Sequence, residues 1–391
     1  YAISWVLYQI FNIPINATDF ISSAELLAKT SAAIIAALTG VLFFITAKKL
    51  FSKTVAILAT FIFAFATSTW AISSQALWQH GTVELLLIAM VFLIVRNEKE
   101  DWWGNVFLLG ILSGLYVFNR PPDSILLIPV LVYILLYQRS KVLTYVIGGF
   151  LSGLPFLWYN YSFFGNIFGG YAQNLALFAL STDFIQQYIG LLIAPNVGLL
   201  IFCPILVLSA FGLMRFYRSS DSRLRTLLLL FVPAILLQIL LYSFFKPWAS
   251  SAAYCYGPRF LTGFVPVLCI YIGFFLNNFL NDNTSSSSWT PTKKWLSWSI
   301  IGGLIILSVG IQGIGVFLYQ WSPKENWTID SNRAWDISDS IIINSFTQGS
   351  QNIPGIVLYI LPPLPTLIKY SFPQGSTGEG SHLVIGGALI F

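Results

Sequence analysis

Charge is what this chain has least of. Asp, Glu, Lys and Arg make up 9% of its 391 residues, against roughly 25% in soluble domains, so water alone cannot be its solvent. Histidine occurs only at His80 and His382, too few for a His-rich centre, and no metal site is expected. The three cysteines, Cys203, Cys255 and Cys269, are odd in number and lack ligand spacing. Two of them lie inside apolar runs, which speaks for small packed residues and against a disulfide framework. No phosphate-binding Gly-rich loop, GxSxG elbow, CxxC pair or dinucleotide fingerprint stands in its required context, and no cofactor is expected. The chain opens at Tyr1 without a charged segment ahead of an apolar one, which is not the layout of a signal peptide. It is expected to begin partway through a longer protein.

Apolar residues, by contrast, make up 56% of the chain. Runs of about 20 of them recur, each long enough to cross a hydrocarbon layer of ~30 Å. Ten candidate crossings fall at 26–47, 54–71, 77–95, 102–118, 122–138, 142–160, 192–214, 226–245, 260–280 and 296–319. Helix is expected throughout, because hydrocarbon offers no partner for a free backbone group. The fold class is therefore an all-α polytopic membrane protein, with no repeat of solenoid or transporter type. A juxtamembrane segment (1–25) precedes the helical domain (26–320), and a polar tail (321–391) follows it. YAISWVLYQIFNI at the start has the aromatic and aliphatic mix of an interfacial helix. In the tail, VLYIL and HLVIGGALIF read as short strands packed on the outer face.

Cation placement sets the orientation. Lys48, Lys49, Lys53, Arg96, Lys99, Arg139, Lys141, Arg215, Arg218, Arg223, Arg225, Lys293 and Lys294 fall in alternate connections and make 13 of the 20 basic residues. That side is read as cytoplasmic, which leaves the tail outside and accounts for the net charge of +5 without nucleic acid. The expected location is the plasma membrane, crossed many times.

The cations on the other side raise a sharper question. Arg120 in FNRPPD, Lys246 in FKPW and Arg259 in YCYGPRFL each adjoin proline at the end of an apolar run, where the regular helical ladder fails. Tyr116, Phe118, Phe245, Trp248, Tyr254 and Tyr256 flank them. A helix-end cation can simply snorkel to the headgroups. Three of them on the leaflet that disfavours cations, ringed by aromatics, fit a socket for an anionic lipid headgroup, since the planar fork of Arg donates to phosphate in pairs. Asp123 stands among the few outer carboxylates. His80 and Glu84, four apart, share a helix face and either line that pocket or satisfy each other.

Taken in order, YAISWVLYQIF, the polar break SSQALWQHG, the Gly-rich LLGILSGLYVFNRPP and the late GPRFL resemble the integral-membrane glycosyltransferases of the GT-C class. The likeness is to the branch that holds protein O-mannosyltransferases and the aminoarabinose transferase of lipid A, and it covers roughly residues 1–320. It implies a lipid-linked sugar donor, a polyprenyl phosphate, and a lipid, glycan or protein acceptor on the non-cytoplasmic face. It implies further that Arg259, Lys246 and Arg120 hold the carrier phosphate. The general base in such enzymes stands in the first outer loop, expected upstream of residue 1, with Asp19 the only local substitute. A transporter or flippase for an anionic lipid or solute, and a non-catalytic membrane subunit, are the alternatives.

Overall fold

A computed structural model describes residues 20–97, 103–172, 176–216, 222–250, 255–282, 291–319 and 331–349. Fourteen helices follow one another there, and no strand is present among the described residues. They are α1 (Phe20–Leu50), α2 (Lys53–Phe65), α3 (Gln79–Asn97), α4 (Trp103–Asn119), α5 (Ile128–Tyr137), α6 (Val142–Phe164) and α7 (Phe184–Ile193). Next come α8 (Leu199–Phe202), α9 (Leu208–Phe216), α10 (Ser222–Ser243), α11 (Val265–Asp282), α12 (Pro291–Phe317), α13 (Ser331–Trp335) and α14 (Ile341–Gly349). Among the described residues, six apolar stretches are long enough to cross a membrane: Leu27–Leu50, Gln79–Arg96, Arg139–Phe164, Arg223–Ser243, Arg259–Leu280 and Trp295–Phe317. The expected interfacial helix at 1–13, Asp19, Tyr254 and both tail strands lie outside the described residues.

The stretch 192–214 is not the single continuous helix that its hydropathy suggests. Helix α7 stops at Ile193, before Pro195, whose ring cannot continue the ladder. Gly198 begins α8 in an extended conformation, and Pro204 separates α8 from α9 through a short 3-10 turn. Backbone groups freed by these breaks are taken up from α12. Ile205 N donates to Ser308 Oγ at 2.9 Å and Gln312 Nε2 donates to the Phe202 carbonyl at 2.7 Å. A broken helix is tolerable in an apolar setting when a neighbour supplies such partners.

Helix contact is closest between α4 and α6, because glycines face each other across it. A Cβ at Gly110 would lie 2.1 Å from the Tyr145 carbonyl oxygen, and one at Gly148 would lie 2.4 Å from that of Phe107. Small residues let backbones approach in this way. Tyr145 then donates to Ser113 Oγ at 2.8 Å, and Ser113 reaches Met90 Sδ at 3.4 Å, tying α6 through α4 to α3. All three cysteines are buried and none forms a disulfide among the described residues, in line with their reading as packing residues. The opposite surface of α6 is greasy and uncovered, with Leu143 and Trp158 each 70% exposed. Apolar surface on that scale marks contact with lipid or with another protein.

Several helices meet through rings and cations near their ends. Lys141 lies 5.5 Å from the Trp103 ring and Arg223 5.6 Å from that of Tyr137, while Phe51 and Phe216 both pack on Phe274. Elsewhere Arg120, Trp78, Tyr171 and Arg259 come together. The tail segment is tied down by one side chain. Asn196 Nδ2 donates to the carbonyls of Arg333 (2.7 Å) and Asp336 (3.0 Å), and its Oδ1 accepts from Ile341 N (2.7 Å).

Candidate functional site: a buried ion pair beside an unpaired arginine

Arg120 ends α4 and precedes two prolines, so its backbone is forced out of the helical region, to φ −151° and ψ 87°. The bend turns its side chain inward, where it is 4% exposed. One guanidinium nitrogen, Nη1, donates to Asp123 Oδ2 at 3.1 Å and contacts His80 Nδ1. Nη2 donates to the Tyr242 hydroxyl at 2.7 Å. Arginine has no acceptor atom, so His80 Nδ1 must be the acceptor and the imidazole proton sits on Nε2. Asp123, 1% exposed, accepts on its other oxygen from Tyr242 (2.9 Å) and from Gln238 Nε2 (2.8 Å). A buried pair is sustained only by this kind of saturation. Gly263 is required for it, since a Cβ there would lie 2.7 Å from Asp123 Oδ2.

Arg259 stands beside this network in a different state. Gly257 takes φ +94°, a left-handed conformation that only glycine adopts without strain, and a Cβ there would meet the Phe202 ring at 2.9 Å. Pro258 follows, and Arg259 N closes a tight turn onto the Gly257 carbonyl at 2.9 Å. The side chain leaves this turn half-buried with its guanidinium carbon 4.8 Å from the Trp78 ring centre and 5.1 Å from that of Phe260. Such stacking is favourable but satisfies no N–H. Arg259 makes no ion pair and no side-chain hydrogen bond among the described residues. It also opens the 3-10 turn Arg259–Phe264 that runs into α11, so a fixed cation is added to the positive end of a helix.

Both arginines act on the same neighbours. Their charges are felt at His80 and at Tyr171. Tyr171 arrives from a loop that turns at Gly165 and Gly169, both at positive φ, and its hydroxyl donates to Gln79 Oε1. Burial pushes the Tyr171 phenol above its ordinary value, against the pull of Arg120, so it is the neutral hydroxyl that donates. Asn119 Nδ2 fixes the Gln79 carbonyl at 2.9 Å. Trp78, Gln79, His80, Tyr171 and Arg259 thus lie together, with the Arg120–Asp123 pair beside them.

The other residues expected here are placed elsewhere. Lys246 is exposed and lines a neighbouring hollow of ≈ 370 Å³ with Ser181, Thr182 and Gln187; its backbone N–H donates to the Leu177 carbonyl at 2.9 Å. Tyr256 is buried and spends its hydroxyl on the Ile311 carbonyl at 2.7 Å. Glu84 does not pair with His80. It accepts from Thr69 Oγ1 at 2.8 Å, one turn deeper in α3. Gln238, Tyr242, Tyr171, Trp78 and Gln79 are members that sequence reasoning did not single out. For the first two a signal existed: they are four apart, hence on one face, in the otherwise apolar run LLLLFVPAILLQILLYS.

Among the described residues, no group of three or more His, Cys, Asp or Glu side chains is placed to hold a metal ion. Neither a protein-family model nor a curated protein matches this chain.

Proposed function

We propose that the chain is a multi-pass protein of the plasma membrane, with about ten crossings and its tail on the non-cytoplasmic side, and that it is a glycosyltransferase of the GT-C kind. Its donor is a sugar on a polyprenyl-phosphate carrier, and the acceptor is a lipid, glycan or protein presented at the outer face. The observation that carries this reading is Arg259. An arginine that is half-buried, stacked on aromatic faces and without an ion pair among the described residues, at the positive end of a helix, is placed to receive an anion. A lipid phosphate at the membrane edge is such an anion. Arg120 stands behind it: its nitrogens are already engaged by Asp123, Tyr242 and His80, which holds His80 in one tautomer. Lys246 belongs to the neighbouring hollow, where an acceptor or a second part of the carrier would rest.

The chemistry is an inverting displacement. A base takes the proton of an acceptor hydroxyl, whose oxygen attacks the anomeric carbon. The bond from that carbon to the carrier phosphate breaks and the phosphate leaves with the electron pair. Arg259, fixed before the reaction begins, stabilises the charge that grows on the departing phosphate.

Binding tests this directly. Undecaprenyl phosphate added to the purified full chain in detergent is expected to raise its melting temperature saturably. Arg259→Ala is expected to fold and to weaken that response roughly 10- to 100-fold, the worth of one hydrogen bond to a charged group. Equal responses from wild type and variant would remove Arg259 from the site and take the reading with it. Transport of an anionic lipid is the second reading, favoured by the fully buried carboxylate of Glu84 within an apolar helix. It predicts the same lipid binding without transfer of sugar to any acceptor.

A further inference from the structure

Deeper than the arginine site, the chain between α2 and α3 forms a π-helical turn, Thr69–Ser73, closed by Ser74 N donating to the Thr69 carbonyl at 3.0 Å. Wide turns of this kind are rare and concentrate at functional positions. Glu84 points at this turn from α3 and is 0% exposed. Its Oε1 accepts from Thr69, whereas Oε2 has no partner. The Ser73 hydroxyl faces the carboxylate without closing a regular hydrogen bond and is likewise buried and unpartnered. Ser68 Oγ, just before the turn, is a third buried oxygen; it is set against the Cys203 thiol, which in turn feels the Glu84 charge. No cationic side chain among the described residues pairs with Glu84.

We propose that Glu84, Ser73 and Thr69, with Ser68 at the rim, form a binding site for one sodium ion. An isolated carboxylate in an apolar interior is costly unless neutralised. A proton on Oε2 would serve a single hydroxyl and leave the other orphaned, whereas one small cation among the oxygens satisfies them together. The donor set is all oxygen, which suits hard cations over transition metals. One carboxylate balances one positive charge, which selects a monovalent ion over calcium or magnesium. The turn packs closely on α3: a Cβ at Gly81 would lie 3.3 Å from the Ser73 carbonyl oxygen. None of these residues belongs to the lipid-phosphate site, so the proposal stands whether or not that reading holds.

The test is ion-specific stabilisation of the purified full chain in detergent. At constant ionic strength, replacing choline chloride by sodium chloride is expected to raise the melting temperature saturably by a few degrees, and potassium chloride to do so only at much higher concentration. Glu84→Gln is expected to abolish the sodium response. Ser73→Ala, a milder change that keeps the carboxylate, is expected to raise the half-saturating sodium concentration about tenfold, one hydrogen-bond-sized contact. Radioactive sodium should bind at one ion per chain in wild type. Identical melting in sodium and choline, an undiminished response in both variants, or absence of bound radioactive sodium would each overturn the site and leave a protonated Glu84 in its place. No lipid enters these measurements, so their failure is separate from failure at Arg259.

Discussion

Arg120 and Arg259 have the same chemistry and share neighbours, and they differ in burial and in partners: among the described residues the first has a carboxylate and the second has none. Removing that carboxylate is the clearest test of the difference. Asp123→Ala strands a buried guanidinium and is expected to cost about 3–5 kcal/mol, seen as a large fall in melting temperature. The paired replacement Arg120→Met with Asp123→Leu is expected to recover much of that loss, because burying two charges is itself expensive. If the double variant melts no higher than Asp123→Ala, the pair is not the unit of stability described above. Sequence showed Arg120 and Asp123 three apart after a Pro-bound bend, and so their neighbourhood was legible. Their mutual engagement was not, because it depends on Tyr242 and Gln238 arriving from more than a hundred residues away. The same holds for Glu84. Its four-residue spacing from His80 is visible in the letters, yet each side chain turns to a partner on a different element.

At the scale of helices, hydropathy located the long apolar elements well and misjudged continuity. Residues 192–214 have the composition of a crossing, but composition is blind to where Pro195 and Pro204 stop the ladder and to the Ser308 and Gln312 side chains that make stopping tolerable. Glycine shows a similar limit. Gly110 and Gly40 look alike in sequence, in the middle of apolar runs. A Cβ at Gly40 would meet nothing within 4 Å, whereas at Gly110 it would collide with the backbone of α6. Gly110→Ala is therefore expected to cost about 1–3 kcal/mol through overpacking. Gly40→Ala should be neutral or stabilise by about 0.5–1 kcal/mol, from the helix propensity it gains. Thermal melts of the two variants side by side check this; equal changes would show that α4 and α6 are not in backbone contact.

For the molecule as a whole, helical class and apolar character were readable from composition and order. How the tail docks was not, since a single asparagine, Asn196, receives three backbone groups from residues more than 130 positions later. The proposed orientation places Lys49 in the cytoplasm and Asp183 outside, and both side chains are exposed. Cysteines introduced at those two sites should respond oppositely to a membrane-impermeant maleimide. Asp183→Cys is expected to label in intact cells and Lys49→Cys only after the membrane is opened; labelling of both without opening would refute the sidedness. Because Cys203, Cys255 and Cys269 are all buried, the thiols of these 391 residues form a quiet background for such reporters. Sidedness and site accessibility can thus be mapped one position at a time in otherwise wild-type protein, without first stripping its thiols.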